Sequence, residues 1–88
     1  MRVKLKKTFI KDLRKLSGQP RKEIEIFVFE TAPHIPSLAE TPNLRRIKGH
    51  PRFYRVRFGP YRVGFEQRDG AIIFYRVLHR KDIYRYFP

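Results

Sequence analysis

The strongest constraint on the fold is a run of strand-forming sequence from Phe53 to Leu78, broken only at Gly59-Pro60 and Asp69-Gly70. Gly-Pro and Asp-Gly pairs supply the backbone conformations of tight turns, so the run is expected to fold as a three-stranded antiparallel meander. Successive side chains of a strand point to opposite faces. In FYRVRF, Tyr54, Val56 and Phe58 therefore share one face, and Arg55 and Arg57 share the other with Phe53. In YRVGFE, Tyr61, Val63 and Phe65 oppose Arg62, Gly64 and Glu66.

These two patterns constrain each other. If Gly59-Pro60 is a two-residue hairpin loop, Phe58 pairs with Tyr61, Val56 with Val63, and Arg57 with Arg62, with Arg55 one step along. Like charges directly opposite across strands are destabilising, so a face that collects arginines is better explained by a ligand than by folding. Phosphate fits, because guanidinium forks match its oxygens and keep their protons when the ligand leaves. Gly64, opposite Arg55, is expected to leave room for a ligand near the backbone.

AIIFYRVL, the third strand, is apolar at almost every position and specifies its register poorly. A two-residue turn at Asp69-Gly70 would set Arg76 opposite Val63. A three-residue turn that includes Arg68 sets Arg76 beside Arg62 and keeps its charge out of the core, and is preferred. A bulge would rescue the first register.

Ahead of the meander, Val3 and Leu5 alternate with Arg2, Lys4 and Lys6 as in a half-buried strand. Thr8 is placed to cap a helix carrying Phe9, Leu13 and Leu16, and Gly18 to close it. Pro20 suits the first turn of a second helix, on which Ile24, Phe27, Val28 and Thr31 share a face. EIEIFVF also alternates with period two, which is strand chemistry, but helix is the favoured reading. Residues 32–51, with Pro33, Pro36, Pro42, Gly49 and Pro51, read as a loop. The tail KDIYRYFP is expected to close with a helical turn beginning near Asp82. The whole reads as one α+β domain over residues 1–88, an antiparallel sheet of about four strands packed on an N-terminal two-helix hairpin.

Composition narrows the function. Lys and Arg number 21 against 8 Asp and Glu, a formal net charge of +13, which repels itself and calls for an anionic partner. Aromatic residues make up 15% of the chain and lie beside arginines, which favours RNA over a membrane surface, since unstacked bases lie on rings and guanidinium planes. With Cys at 0 there is neither a disulfide framework nor a thiolate metal site. No signal peptide or membrane-spanning run is legible, and a cytoplasmic location is expected.

His79, Arg80 and Tyr84 come where the last strand gives out. His79 is the only acid-base candidate near the arginines, able in principle to exchange a proton with a ribose 2′-hydroxyl or a leaving oxygen. A lone histidine is more often structural, and only its neighbours raise this one. Arginine stabilises the charge building on a phosphorane, and tyrosine stacks on a base or orients the phosphate. Arg45, Arg46, Lys48, Arg52, Arg76, Lys81, Arg85 and Tyr86 complete the candidate RNA-binding surface. His34 and His50 match no metal-ligand spacing, and neither a metal nor a cofactor is expected.

GHPRFYRVRFGPYRVGFE, followed by RVLHRKDIYR, resembles the carboxy-terminal half of RelE/ParE superfamily toxins, in particular the RelE branch. The resemblance covers about residues 44–86, with the N-terminal half agreeing in layout only. It implies a twisted antiparallel sheet on two helices and metal-independent cleavage of messenger RNA in the ribosomal A site. It also implies an acidic antitoxin partner. By motif it places the active site at Arg55, Arg57, Arg62, Arg80 and Tyr84, with His79 just before Arg80. Arg55 and Arg57 stand where RelE has lysines, and the spacing from Arg80 to the tyrosine is shorter, so that Tyr84 or Tyr86 fills the aromatic role. Losing the lysines shifts the acid-base burden to His79. A ParE-like gyrase poison and an RNA-binding relic of the same fold are the competing functions.

Overall fold

The alternating run forms β3 (His50–Phe58), β4 (Tyr61–Arg68) and β5 (Ala71–His79) in the computed structural model, which describes all of residues 1–88. β3 and β4 take the expected register, with Phe58 paired to Tyr61, Val56 to Val63, Arg57 to Arg62 and Arg55 to Gly64. β5 departs from the preferred one. Arg68 pairs with Ala71, so Asp69 and Gly70, both at positive φ, form a two-residue turn. A bulge then leaves Tyr75 as an extra residue between the pairs Phe65–Phe74 and Gly64–Arg76. It has a packing cause. Phe74 and Val77 are both buried in the core, and the extra residue lets both reach it while Arg76 comes opposite Gly64.

The sheet has five strands in the order β1-β5-β4-β3-β2, rather than about four antiparallel ones. β1 (Arg2–Leu5) is the expected first strand, but it runs parallel to β5, which makes the sheet mixed. β2 (Leu44–Ile47) lies inside the segment expected to be a loop and pairs antiparallel with β3. Four residues, LRRI, are too short a run for periodicity to declare itself between Pro42 and Gly49.

α1 (Lys7–Arg14) and α2 (Gly18–Ile26) both lie on the Val56/Val63/Phe65 face, but α1 packs on β5 and α2 on β3, so their placement differs in detail from the expected hairpin. Phe9, Leu13, Ile24, Phe27 and Val28 enter one core cluster with Val56, Val63, Phe65, Ile72, Phe74 and Val77. Lys6 occupies the α1 N-cap instead of Thr8, whose hydroxyl donates to the Tyr75 carbonyl at 2.8 Å. Gly18, at φ +67°, opens α2 rather than closing α1. A wider π-type turn over Phe27–Thr31 continues α2, and the changed angle per residue carries Thr31 out of the expected buried face to the surface. After Asp82 comes α3 (Ile83–Tyr86), on the sheet face opposite α1 and α2. No helix is long and apolar enough to cross a membrane.

Candidate active site

Arg57 and Arg62 occupy directly opposed positions on β3 and β4, Arg55 lies beside them, and β2 adds Arg45 opposite Arg55. Together with Asn43, Leu44 and Tyr84 these four arginines line a hollow of ≈ 520 Å³. No carboxylate lines it, and none of these arginines is ion-paired.

The side chains are positioned by neutral groups. Arg57 Nη2 donates to Asn43 Oδ1 at 3.0 Å, and the Arg57 backbone N–H donates to the Asn43 carbonyl at 3.3 Å. Arg62 Nη1 donates to the carbonyls of Gly59 and Tyr61, each at 2.9 Å. The Arg55 guanidinium lies 4.4 Å from the centroid of the Tyr84 ring. Burial, then the charge of Arg57, holds Arg62 below its ordinary pKa, with Arg80 and Arg55 adding to the shift and Tyr84 opposing it. Desolvation of the guanidinium and the like charges around it act in the same direction.

Arg80 joins the cluster from the far end of β5. Its backbone N–H donates to the Pro60 carbonyl at 2.8 Å, which ties the closing segment to the β3–β4 turn. His79 does not join it. It pairs with Tyr61, on the helix side of the sheet, and packs edge-on against that ring at 5.9 Å. Its Nδ1 accepts the Lys81 backbone N–H at 3.2 Å, and it lines a separate hollow with Asp12, Lys15 and Asp82. The expected acid-base residue is thus parted from the arginines by the sheet, because Arg62 and Tyr61 are adjacent on one strand and face opposite ways.

The wider basic set divides. Arg45 lines the hollow, whereas Arg46, next along β2, lies over the Tyr54 ring at 5.7 Å on the other side. Arg52 is 3.5 Å from the buried Glu66. Arg76 is held by Asp12, with Nε to Oδ2 at 2.7 Å and Nη2 to Oδ1 at 3.1 Å, and Tyr86 covers it at 5.4 Å. That bidentate contact, with burial opposing, raises the pKa of Arg76. Lys48, Lys81 and Arg85 are exposed. Gly64 leaves no room for a ligand, since a Cβ there would meet the Phe87 ring at 2.5 Å. No group of three His, Cys, Asp or Glu side chains could hold a metal ion.

Two features of the site had little or no sequence signal. Asn43 lies in the segment read as loop, where Pro42-Asn43 marks a turn but not a ligand for Arg57. Phe87 lies in the short tail KDIYRYFP, where the sequence suggests a helical turn but names no partner for the ring.

An α+β domain that masses arginines on one sheet face, with no carboxylate among them and a tyrosine laid over one, defines a small cationic protein with an open arginine face. The chain belongs to the ParE toxin family of type II toxin–antitoxin systems, which it matches over residues 3–84. It is 45% identical over 89 residues to Toxin RelE3 of Methanocaldococcus jannaschii, covering 100% of each. It resembles the crystal structure of a RelB–RelE antitoxin–toxin complex from Methanococcus jannaschii with a TM-score of 0.82 and 44% identity, over 97% of this chain and 99% of that one. An archaeal RelE–RelB complex from Pyrococcus horikoshii OT3 gives a TM-score of 0.61 at 25% identity, over 90% of this chain and 93% of that one.

Proposed function

We propose that this toxin is a ribosome-dependent endoribonuclease that cuts messenger RNA in the A site, through attack of a ribose 2′-oxygen on the adjacent phosphorus. The observation that carries the reading is the directly opposed, carboxylate-free pair Arg57 and Arg62, with Arg45, Arg55 and Arg80 around it. Guanidinium groups held there by neutral acceptors are placed for the oxygens of a phosphorane, and each such donor contributes roughly 10²–10³-fold in rate. Tyr84, exposed over Arg55, offers a ring for a flanking base.

No histidine, lysine or carboxylate lines the hollow, whose side chains are arginines, Asn43, Leu44 and Tyr84. The chain's own contribution is then charge stabilisation and alignment. The 2′-hydroxyl proton passes to water or to RNA groups beside the message, the P–O5′ bond breaks to leave a 2′,3′-cyclic phosphate, and the departing 5′-oxygen takes a proton from the same surroundings, which gives the dependence on the ribosome a chemical reason.

Relatives described as RelB–RelE complexes support a cognate antitoxin for this chain too. An acidic peptide laid over the arginine face would complement its potential and block access. Toxin, message and antitoxin would then meet in the cytoplasm.

Primer extension on a defined message in a reconstituted translation system, with wild type and with Arg62→Ala, tests the proposal. New cuts within A-site codons that the folded variant fails to make are the expected result. Intact message together with inhibited DNA supercoiling would instead assign a gyrase poison.

A further inference from the structure

α3 comprises four residues, too few to persist as an isolated helix. The N–H of Arg85 donates to the Asp82 carbonyl at 3.0 Å and that of Phe87 to the Ile83 carbonyl at 2.9 Å. The segment is pinned at its two ends, by Ile83 at 0% and Phe87 at 4% exposure, while Tyr84 between them is 72% exposed.

The Phe87 ring sits in a slot whose walls are Phe53 and Tyr75, each 5.8 Å away between centroids. Gly64 is its floor. A Cβ on Gly64 would come within 2.5 to 2.7 Å of three atoms of the Phe87 ring. Gly64 is a β-strand residue outside the positive-φ set, so its backbone does not demand glycine. Its missing side chain serves Phe87.

Gly64 pairs with Arg55, and Arg55 carries Tyr84, so slot and arginine hollow share a register position. An exposed cation–π contact is too weak to hold a tail in place by itself. We infer that Phe87, seated on Gly64, is a positioning residue that holds Tyr84 over the arginine hollow. The inference rests on the ribonuclease reading for its kinetic consequence and on the geometry alone for its structural one.

The test uses Phe87→Ala, Phe87→Leu, Gly64→Ala and the double variant Gly64→Ala/Phe87→Ala in the full chain. Two readouts are taken, single-turnover cleavage on ribosomes and NMR of the free protein. Phe87→Ala and Gly64→Ala should each slow cleavage about 10- to 100-fold with little change in apparent affinity for the ribosome complex, as misalignment does. The double variant should cut no more slowly than the slower single one, because either change alone empties the slot. Phe87→Leu, which refills the slot, should stay within about threefold of wild type.

In NMR, Phe87→Ala and Gly64→Ala should move the Tyr84 ring signals toward those of an unfolded chain and speed amide exchange at Arg85 and Phe87, while β3 and β4 stay protected. Tyr84 signals unchanged in both variants would overturn the inference, whether or not the wild type cuts RNA. So would a released tail with undiminished cleavage. A wild type that fails to cut defeats the ribonuclease reading, and the NMR arm still decides whether Phe87 holds the tail.

Discussion

Arg57 and Arg62 face each other directly across β3 and β4, with no carboxylate between or beside them. Direct opposition of like charges opposes folding, so the pair should be more useful to the ligand than to the fold. Arg57→Gln should leave the melting point unchanged or raise stability by up to about 0.5 kcal/mol. The same change should slow cleavage about 100-fold. Thermal melts and primer extension on one preparation check both halves. A variant that melts early yet cuts normally would make the pair structural.

Asp12 carries the opposite expectation. It is 5% exposed, it takes two guanidinium hydrogen bonds from Arg76, and its Oδ2 also accepts the Val77 N–H at 3.1 Å. Asp12 thus substitutes for a neighbouring strand at the edge of β5 beyond the end of β1. Asp12→Ala should cost about 2–3 kcal/mol, the lower end for breaking such a pair because Arg76 is partly solvated. Urea unfolding measures this. Asp12→Leu/Arg76→Met should recover only part of the loss, because the Val77 N–H stays unpaired. A double variant as stable as wild type would show that the backbone contact is worth nothing.

The arginine face was legible because β3 and β4 alternate cleanly and a two-residue turn fixes their register, which forces Arg57 onto Arg62. The position of Arg76 was not legible. β5 is apolar on both faces, so its sequence cannot announce the bulge that frees Phe74 and Val77 for the core and leaves Arg76 to Asp12. Asp12 did leave a trace, as a lone acid among Lys11 and Arg14 on α1 and Lys15 at its C-cap. Gly64 was misread because a glycine in a strand marks a close approach without naming what approaches, and here it is Phe87 from the chain's own tail. The parallel pairing of β1 and the four-residue β2 depend on tertiary neighbours that no local pattern encodes.

Tyr75 gives the fold an alkaline sensitivity. Its hydroxyl donates to Glu66 Oε1 at 2.8 Å, and burial followed by the hydrogen bond to Glu66 raises its pKa above the ordinary tyrosine value. The folded state therefore keeps a proton that the unfolded state releases. Stability from this group is whole below the unfolded pKa of about 10 and is lost as pH rises through the higher folded value. The stability gap between wild type and Tyr75→Phe, measured by urea unfolding, should be constant from neutral pH to about pH 9 and shrink above about pH 10. A gap that widens with alkali would reverse the assigned direction.

His79 provides the sharpest separation between what the sequence led one to expect and this structure. Its Nδ1 accepts the Lys81 backbone N–H at 3.2 Å, which turns the ring toward the closing segment of its own strand end. Its face is also wrong, since it packs on Tyr61 while the arginines project from the other side of the sheet. His79→Ala should accordingly cut within about threefold of wild type, an effect small beside the 10²–10⁴-fold expected for removing a general acid or base. The pH–rate profiles of the two proteins should superimpose. Cleavage abolished in a folded His79→Ala protein would mean that ribosome binding turns the ring across the end of β5 and returns proton transfer to the toxin. The same loss accompanied by a lowered melting point would mark the Tyr61 contact as the part that matters, and His79→Phe, which keeps an aromatic edge on Tyr61 without a titrating nitrogen, distinguishes the two by restoring activity only in the second case.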